Sequence, residues 1–316
     1  MPNIIKKFQN TIFSQKLFER GDKILLAVSG GPDSVTMLDI FAKLKNKYDL
    51  ELAIAHVNYC LRGYASDSDE ELVCKLAKKY SLRFFVSHPN FKNTSEDVLR
   101  NIRYSFFEKI RRQNNFDHIS IAHNMDDQVE TFFMRVIRGA GLQGLSAMKY
   151  KNEKIIRPLL NLNRKEILDY LKKNKLQYRI DKSNLESKYL RNKIRNKLIP
   201  FLEKKFNPQI KKTVFSSIEN IAEDYSFINL ETLKISSDKN TLSVKKLSHL
   251  HPAIKKRSLL VAISKIKPDM KNVDSSHINE ILKITDSKKN KRQIMKFNNL
   301  KVERRGDKLT IDLIKK

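Results

Sequence analysis

Two polar stretches hold the residues best suited to chemistry. SGGPDS, Ser29–Ser34, follows the apolar run ILLAV with no room for an ordinary turn, and DDQVE, Asp126–Glu130, follows HISIAHNM. The amides of a glycine-rich turn, aimed by a helix N-terminus, form an anion cradle, and Gly30 and Gly31 let the backbone approach a phosphate. Ser29 and Ser34 can add hydroxyl donors. Pro32 can sit early in a helix without losing a needed amide. Asp33 cannot bind phosphate directly, but it can hold Mg²⁺ that bridges phosphate oxygens. The loop is therefore read as holding a nucleotide's phosphates. No G-x-x-x-x-G-K-[ST] string occurs, which disfavours a Walker-type kinase or GTPase.

In a helix Asp126 and Glu130 are four apart and Asp127 and Glu130 three apart, so they share a face. Carboxylates clustered at a strand's carboxyl end are costly unless they meet a cation, and Mg²⁺ and an ammonium group both qualify. Acidic capping of a helix N-terminus accounts for Asp126 and Asp127, but not for the whole string. Farther along, RNKIR sets Arg191 and Arg195 four apart on one helical face, suited to bidentate contact with phosphate or carboxylate.

The elements that must position these residues are legible from pattern. KILLAV, LELAIAHVNY, LRFFVSH and HISIAH read as buried strands, and KIIRPLLN as a fifth strand and its exit. Helical periodicity lies between them, from Ser34 to Tyr48, in ASDSDEELVCKLAKKY, in SEDVLRNIRYSFFEKIRRQ, in DDQVETFFMRVIRG and in NRKEILDYLKKNK. This β-α alternation predicts an α/β fold, a doubly wound, Rossmann-like parallel sheet with right-handed crossovers. Ligands of such sheets bind beyond the carboxyl ends of the strands, where SGGPDS, HVNYCLRG and AHNMDD gather. Alternation stops after YLRNKIRNKLIPFLEKKFNP. The expected division is 1–207 and 208–316, the second part smaller and mostly helical with a short β ending in RQIMKF, LKVERR and DKLTIDLI.

Composition narrows the setting. Lys and Arg number 63 against 35 Asp and Glu, a net charge of +28, which favours a polyanionic partner such as nucleic acid. Charge alone does not separate RNA from DNA. Two cysteines, Cys60 and Cys74, fit a reducing cytosol and argue against a disulfide scaffold. They form no Cys-x-x-Cys pair, which disfavours a cysteine-held zinc or iron–sulfur site. No apolar run reaches the ~18 residues of a membrane span, so a soluble, cytoplasmic protein without membrane contact is expected.

SGGPDS after a buried strand resembles the PP-loop of ATP pyrophosphatases, which cut ATP between the α and β phosphates and adenylate a substrate. Four further segments choose among them: HVNYCLRG; RNIRYSFF; IAHNMDDQVETFFMRVIRGAGLQGLSAM; and IIRPLLN with DKSN and RNKIR. Together, from about Lys23 to Leu202, they resemble tRNA(Ile)-lysidine synthetases. Tyr59 or Cys60 stands where that family usually has a second histidine. The resemblance implies ATP and Mg²⁺ on Ser29, Gly30, Gly31, Pro32, Asp33 and Ser34, with His56 and Arg103 near the nucleotide. It implies that Asp127 and Glu130 receive the ammonium of L-lysine and that Arg191 or Arg195 receives its carboxylate, with the general base unassigned. The substrate implied is a minor tRNA(Ile) with a CAU anticodon, whose cytidine 34 becomes lysidine. KKRS at Lys255–Ser258 and SKKNKR at Ser287–Arg292 are candidate tRNA contacts or wet surface. Dimers are common in the family, so a homodimer is possible. Longer members carry a further C-terminal domain, so a short form is expected. Two rivals stand: a PP-loop tRNA thiolase, which generally uses cysteines, and a non-catalytic RNA-binding protein with a decayed loop.

Overall fold

The computed structural model describes residues 4–61, 63–91, 95–179, 190–235, 240–287 and 291–314. The chain forms two compact units, Met1–Glu219 and Asn220–Lys316. The division falls later than 207/208, inside a helix, because Val214 and Ile218 at that helix's start pack with Val129, Ile194 and Ile199 of the first unit.

In the first unit the strands are β1 (Lys23–Ala27), β2 (Glu51–Val57), β3 (Arg83–Ser87), β4 (His118–Ile121), β5 (Lys151–Asn152) and β6 (Ile155–Ile156). Its helices are α1 (Ile4–Ser14), α2 (Pro32–Tyr48), α3 (Tyr64–Lys79), α4 (Glu96–Gln113), α5 (Met125–Ile137), α6 (Leu142–Leu145), α7 (Arg164–Lys173), α8 (Leu190–Lys193) and α9 (Ile199–Lys205). The sheet order is β3-β2-β1-β4-β6-β5. Every pairing is parallel except β5 with β6, so the sheet is mostly parallel with an antiparallel edge. The expected fifth strand is thus a two-residue strand reached by a tight hairpin, with Glu153 at φ 52° at its turn.

β1 alternates as a doubly covered strand must. Ile24, Leu26 and Val28 join α1, α2, α3 and α7 in one core. Leu25 joins Phe107 and Ile110 of α4 in the other. Fully burying each such side chain contributes roughly 1.5–3 kcal/mol. The central strand is held from both faces, which fixes the loop that leaves it.

In the second unit α10 (Ile210–Ile235) continues from the first, followed by β7 (Thr241–Ser243), α11 (Val244–Ser248), α12 (Pro252–Ile266), α13 (Ser275–Asp286), β8 (Gln293–Phe297), β9 (Leu300–Arg305) and β10 (Lys308–Leu313). The strands form an antiparallel sheet ordered β7-β10-β9-β8. Leu259, Ile263 and Ile281 pack on Leu300, Val302, Leu309 and Ile311 in its own core. No helix among the described residues is long and apolar enough to cross a membrane.

Candidate active site

β1 is flanked by β2 on one side and β4 on the other, so the winding reverses between β1 and β4. A crevice opens there beyond the carboxyl ends. A cleft of about 590 Å³ occupies it, within the usual range for a small-molecule site. SGGPDS and the end of β4 both line it, as do His56 and Arg103.

Gly30 holds φ 85°, a left-handed conformation that a side chain would strain. A Cβ there would meet Asp69 O at 3.5 Å and Val73 at 3.6 Å, ordinary contacts, so the glycine serves the backbone angle rather than space. Pro32 opens α2 and no side chain caps that helix, leaving first-turn amides for an anion. The serines shape the loop from within. Ser34 Oγ donates to Gly31 O at 2.9 Å and accepts from Ser29 N at 3.2 Å. With that proton committed, Ser29 Oγ donates to Ser34 Oγ across 3.2 Å. Both hydroxyls must therefore re-pair before either donates to a ligand.

Asp33 is bound from two sides. Asn124 Nδ2 donates to Oδ1 at 2.9 Å, and Arg164 Nη1 meets Oδ2 at 2.5 Å. Burial pushes its carboxyl up; Arg164 opposes this and nearby Asp127 adds to it. Mg²⁺ is usually held by one or two carboxylates together with substrate phosphates, and Asp33 at the loop with Asp127 close by fits that donor set. Among the described residues no group of three His, Cys, Asp or Glu suits a metal caged by protein alone.

Asn124 also caps α5 reciprocally, accepting from Asp127 N while Asp127 Oδ2 accepts from Asn124 N, each at 3.0 Å. This box turns the next carboxylates toward the arginines. Arg191 donates to Asp127 at 2.6 Å and to Glu130 at 2.8 Å. Arg195 donates to Glu130 at 2.5 and 2.9 Å and reaches Asp127 at 3.4 Å. The four residues expected around lysine thus come together as a closed ionic cluster, with the Glu130 side chain only 2% exposed. Burial raises the Asp127 carboxyl, but Arg191, the Asn124 amide and Arg195 together hold it below the usual range. Asp126 faces away from this cluster, accepting from Arg164 N at 2.8 Å and pairing with Lys211 at 3.0 Å.

His56 is buried with Nδ1 against Val28 O at 2.8 Å, and burial pushes its imidazole down. Tyr59 lines the cleft with its hydroxyl donated to Leu99 O at 2.7 Å, tying the end of β2 to α4. Sequence reasoning missed Arg164, His123 and Arg157. Their signal is present, since His123 lies in AHNMDDQ and Arg157 in RPLL, but the partners are distant in sequence. DKSN lies outside the described residues. So do residues 288–290 of SKKNKR, while Arg292 pairs with Glu303 at 2.8 Å. In KKRS, Lys255 pairs with Asp286 at 3.3 Å, Arg257 stacks on Tyr225 at 5.0 Å, and Ser258 is buried.

Residues 2–202 match the PP-loop domain family. The chain is 38% identical to a tRNA(Ile)-lysidine synthase of Clostridium tetani over 87% of its own length and 62% of that protein's. It is 34% identical to the tRNA(Ile)-lysidine synthase of Clostridioides difficile over 98% of its length and 70% of that protein's. It therefore spans less than two thirds of the Clostridium tetani relative. Among solved structures, the U34-tRNA thiolase NcsA of Methanococcus maripaludis superposes with a TM-score of 0.58 at 20% identity, over 70% of this chain and 78% of that one, which is a likeness of fold.

Proposed function

Because the chain belongs to the tRNA(Ile)-lysidine synthase family of PP-loop proteins, we propose that it joins L-lysine to C2 of cytidine 34 in the CAU anticodon of a minor tRNA(Ile). In the first step the cytidine O2 attacks the α-phosphorus of ATP, and the bond to the pyrophosphate oxygen breaks. In the second, the lysine ε-amine attacks C2, the C2–O bond breaks, AMP departs with the oxygen, and the amine releases a proton.

The observation that supports this reading is the meeting of SGGPDS with the start of α5 beside the β1–β4 crevice, where Asn124 bonds Asp33 and Asp127 lies near enough to act on the Asp33 carboxyl. The loop amides and first turn of α2 bind the phosphates. Asp33 would hold Mg²⁺, which would supply positive charge to offset that on the departing pyrophosphate. Arg103 and His56 flank the nucleotide. Lysine enters by exchange: its ammonium replaces a guanidinium at Asp127 or Glu130, and the freed Arg191 or Arg195 receives its carboxylate. Such an exchange keeps the buried carboxylates neutralised throughout.

Labelled lysine offered to transcripts of minor tRNA(Ile) and tRNA(Met), with and without ATP, tests this. The expected result is ATP-dependent labelling of the isoleucine transcript alone, abolished together with pyrophosphate release by Asp33→Ala. Pyrophosphate release without lysine transfer would retain the PP-loop chemistry and overturn the substrate. Near-wild-type activity of Asp33→Ala would overturn the role of Asp33.

A further inference from the structure

We propose that His123 donates a hydrogen bond from Nε2 to a phosphoryl oxygen of the bound nucleotide, and that Arg157 is the positioning residue that sets this tautomer. His123 lines the cleft at the end of β4, and Asp33 and Ser34 of the glycine loop line the same cleft. Arg157 Nε donates to His123 Nδ1 at 3.2 Å. A guanidinium has donors and no acceptor, so Nδ1 must present its lone pair and a neutral ring carries its proton on Nε2. Arg157 is itself fixed, 6% exposed, with Nη1 donating to Lys149 O at 2.9 Å. Among the described residues the ring makes no other hydrogen bond, so Nε2–H remains for what enters the cleft.

The surroundings keep the ring uncharged. Burial pushes His123 far below the usual imidazole range; Asp127 opposes this, while Arg157, Arg191 and Arg103 reinforce it. A ring in that state is a poor base and a serviceable donor. A pre-aligned neutral donor stabilises negative charge developing on a phosphoryl oxygen without adding a further cation.

The inference rests on the nucleotide reading above, so its test separates the two. His123→Leu removes the donor, and His123→Gln returns an N–H near the Nε2 position but cannot act as a base. Pyrophosphate release is expected to fall by on the order of 10²-fold in the leucine variant, with glutamine recovering at least ~10-fold of that loss and Arg157→Met falling in the same direction. Equal loss in the leucine and glutamine variants, or no loss in leucine, overturns the donor role. If the wild type transfers no lysine, titration with a non-hydrolysable ATP analogue decides instead, with leucine weakening binding and glutamine restoring it. ¹⁵N imidazole spectra of the wild-type protein need no variant. Protonated Nε2 with bare Nδ1 across neutral pH is expected, and the opposite tautomer overturns the assignment to Arg157.

Discussion

Both oxygens of Glu130 are held by guanidinium groups in a buried place, so the charges are safe only together. Removing one member of a buried ionic group leaves the others uncompensated, at a cost of roughly 3–5 kcal/mol. Urea unfolding of Glu130→Ala is expected to show a loss of that order, and adding Arg195→Met to return part of it. Strictly additive losses would show that the cluster contributes no coupling. The milder Glu130→Gln is expected to raise the lysine KM, and an unchanged KM would remove Glu130 from the lysine site. Much of this site was legible because its parts are local strings: a glycine loop after a strand, and carboxylates one helical turn apart. What was not legible is pairing across the chain. Asp33 meets an arginine 131 residues away, and His123 meets one 34 residues away, and nothing in either string announces its partner. Nor does composition reveal that Ser34 turns its hydroxyl inward to the loop's own carbonyl.

Arg191 and Arg195 reach the carboxylates through an irregular helix. Between α8 and α9 the backbone makes one π-helical turn over Ile194–Leu198, with Ile199 N bonded to Ile194 O. The cause lies next to it. Pro200 has no N–H for the carbonyl four residues back and its ring crowds that carbonyl, so the helix widens before it. Arg195 rides on the widened turn, which alters its direction relative to a regular helix. Pro200→Ala restores the missing donor and lets the turn close. The expected outcome is a severalfold higher lysine KM with thermal stability equal or raised. Unchanged KM with raised stability would show that the turn does not aim the arginines. Other elements followed pattern more directly. Long buried strands such as β1 and β2 declare themselves by continuous apolar runs. β5 and β6, two residues each, are too short to carry any period, which is why the antiparallel edge escaped notice. The change of pattern near residue 207 was visible, but the packing of Val214 and Ile218 that extends the first unit depends on neighbours no local pattern reports.

For the molecule as a whole, a charge of +28 predicts strong, salt-sensitive association with nucleic acid, which under the proposed function is RNA. If six to ten phosphates are neutralised, affinity falls by roughly 10³–10⁵ between about 50 and 200 mM salt. Net charge alone overstates the surface available for this, because many cations are already engaged within the fold. Lys211 faces Asp126 and Glu203, and Glu303 gathers Arg292, Lys301 and Arg305. In KKRS the distinction can be drawn between neighbours. Lys256 is exposed, whereas Arg257 is stacked on the Tyr225 ring and donates to Asn229 at 3.1 Å. Removing one cation that pairs with a phosphate should lower the slope of log K against log salt by about one. Lys256→Gln is therefore expected to reduce that slope with melting temperature unchanged, if this face meets the tRNA. Arg257→Gln is expected to lower the melting temperature and leave the slope alone. Filter binding over a salt series, with a melt of each variant, reads both quantities. A reduced slope and an intact melt for Arg257→Gln would mean that its guanidinium leaves Tyr225 for a phosphate when RNA binds, and a flat response in both variants would move the RNA-binding face away from α12.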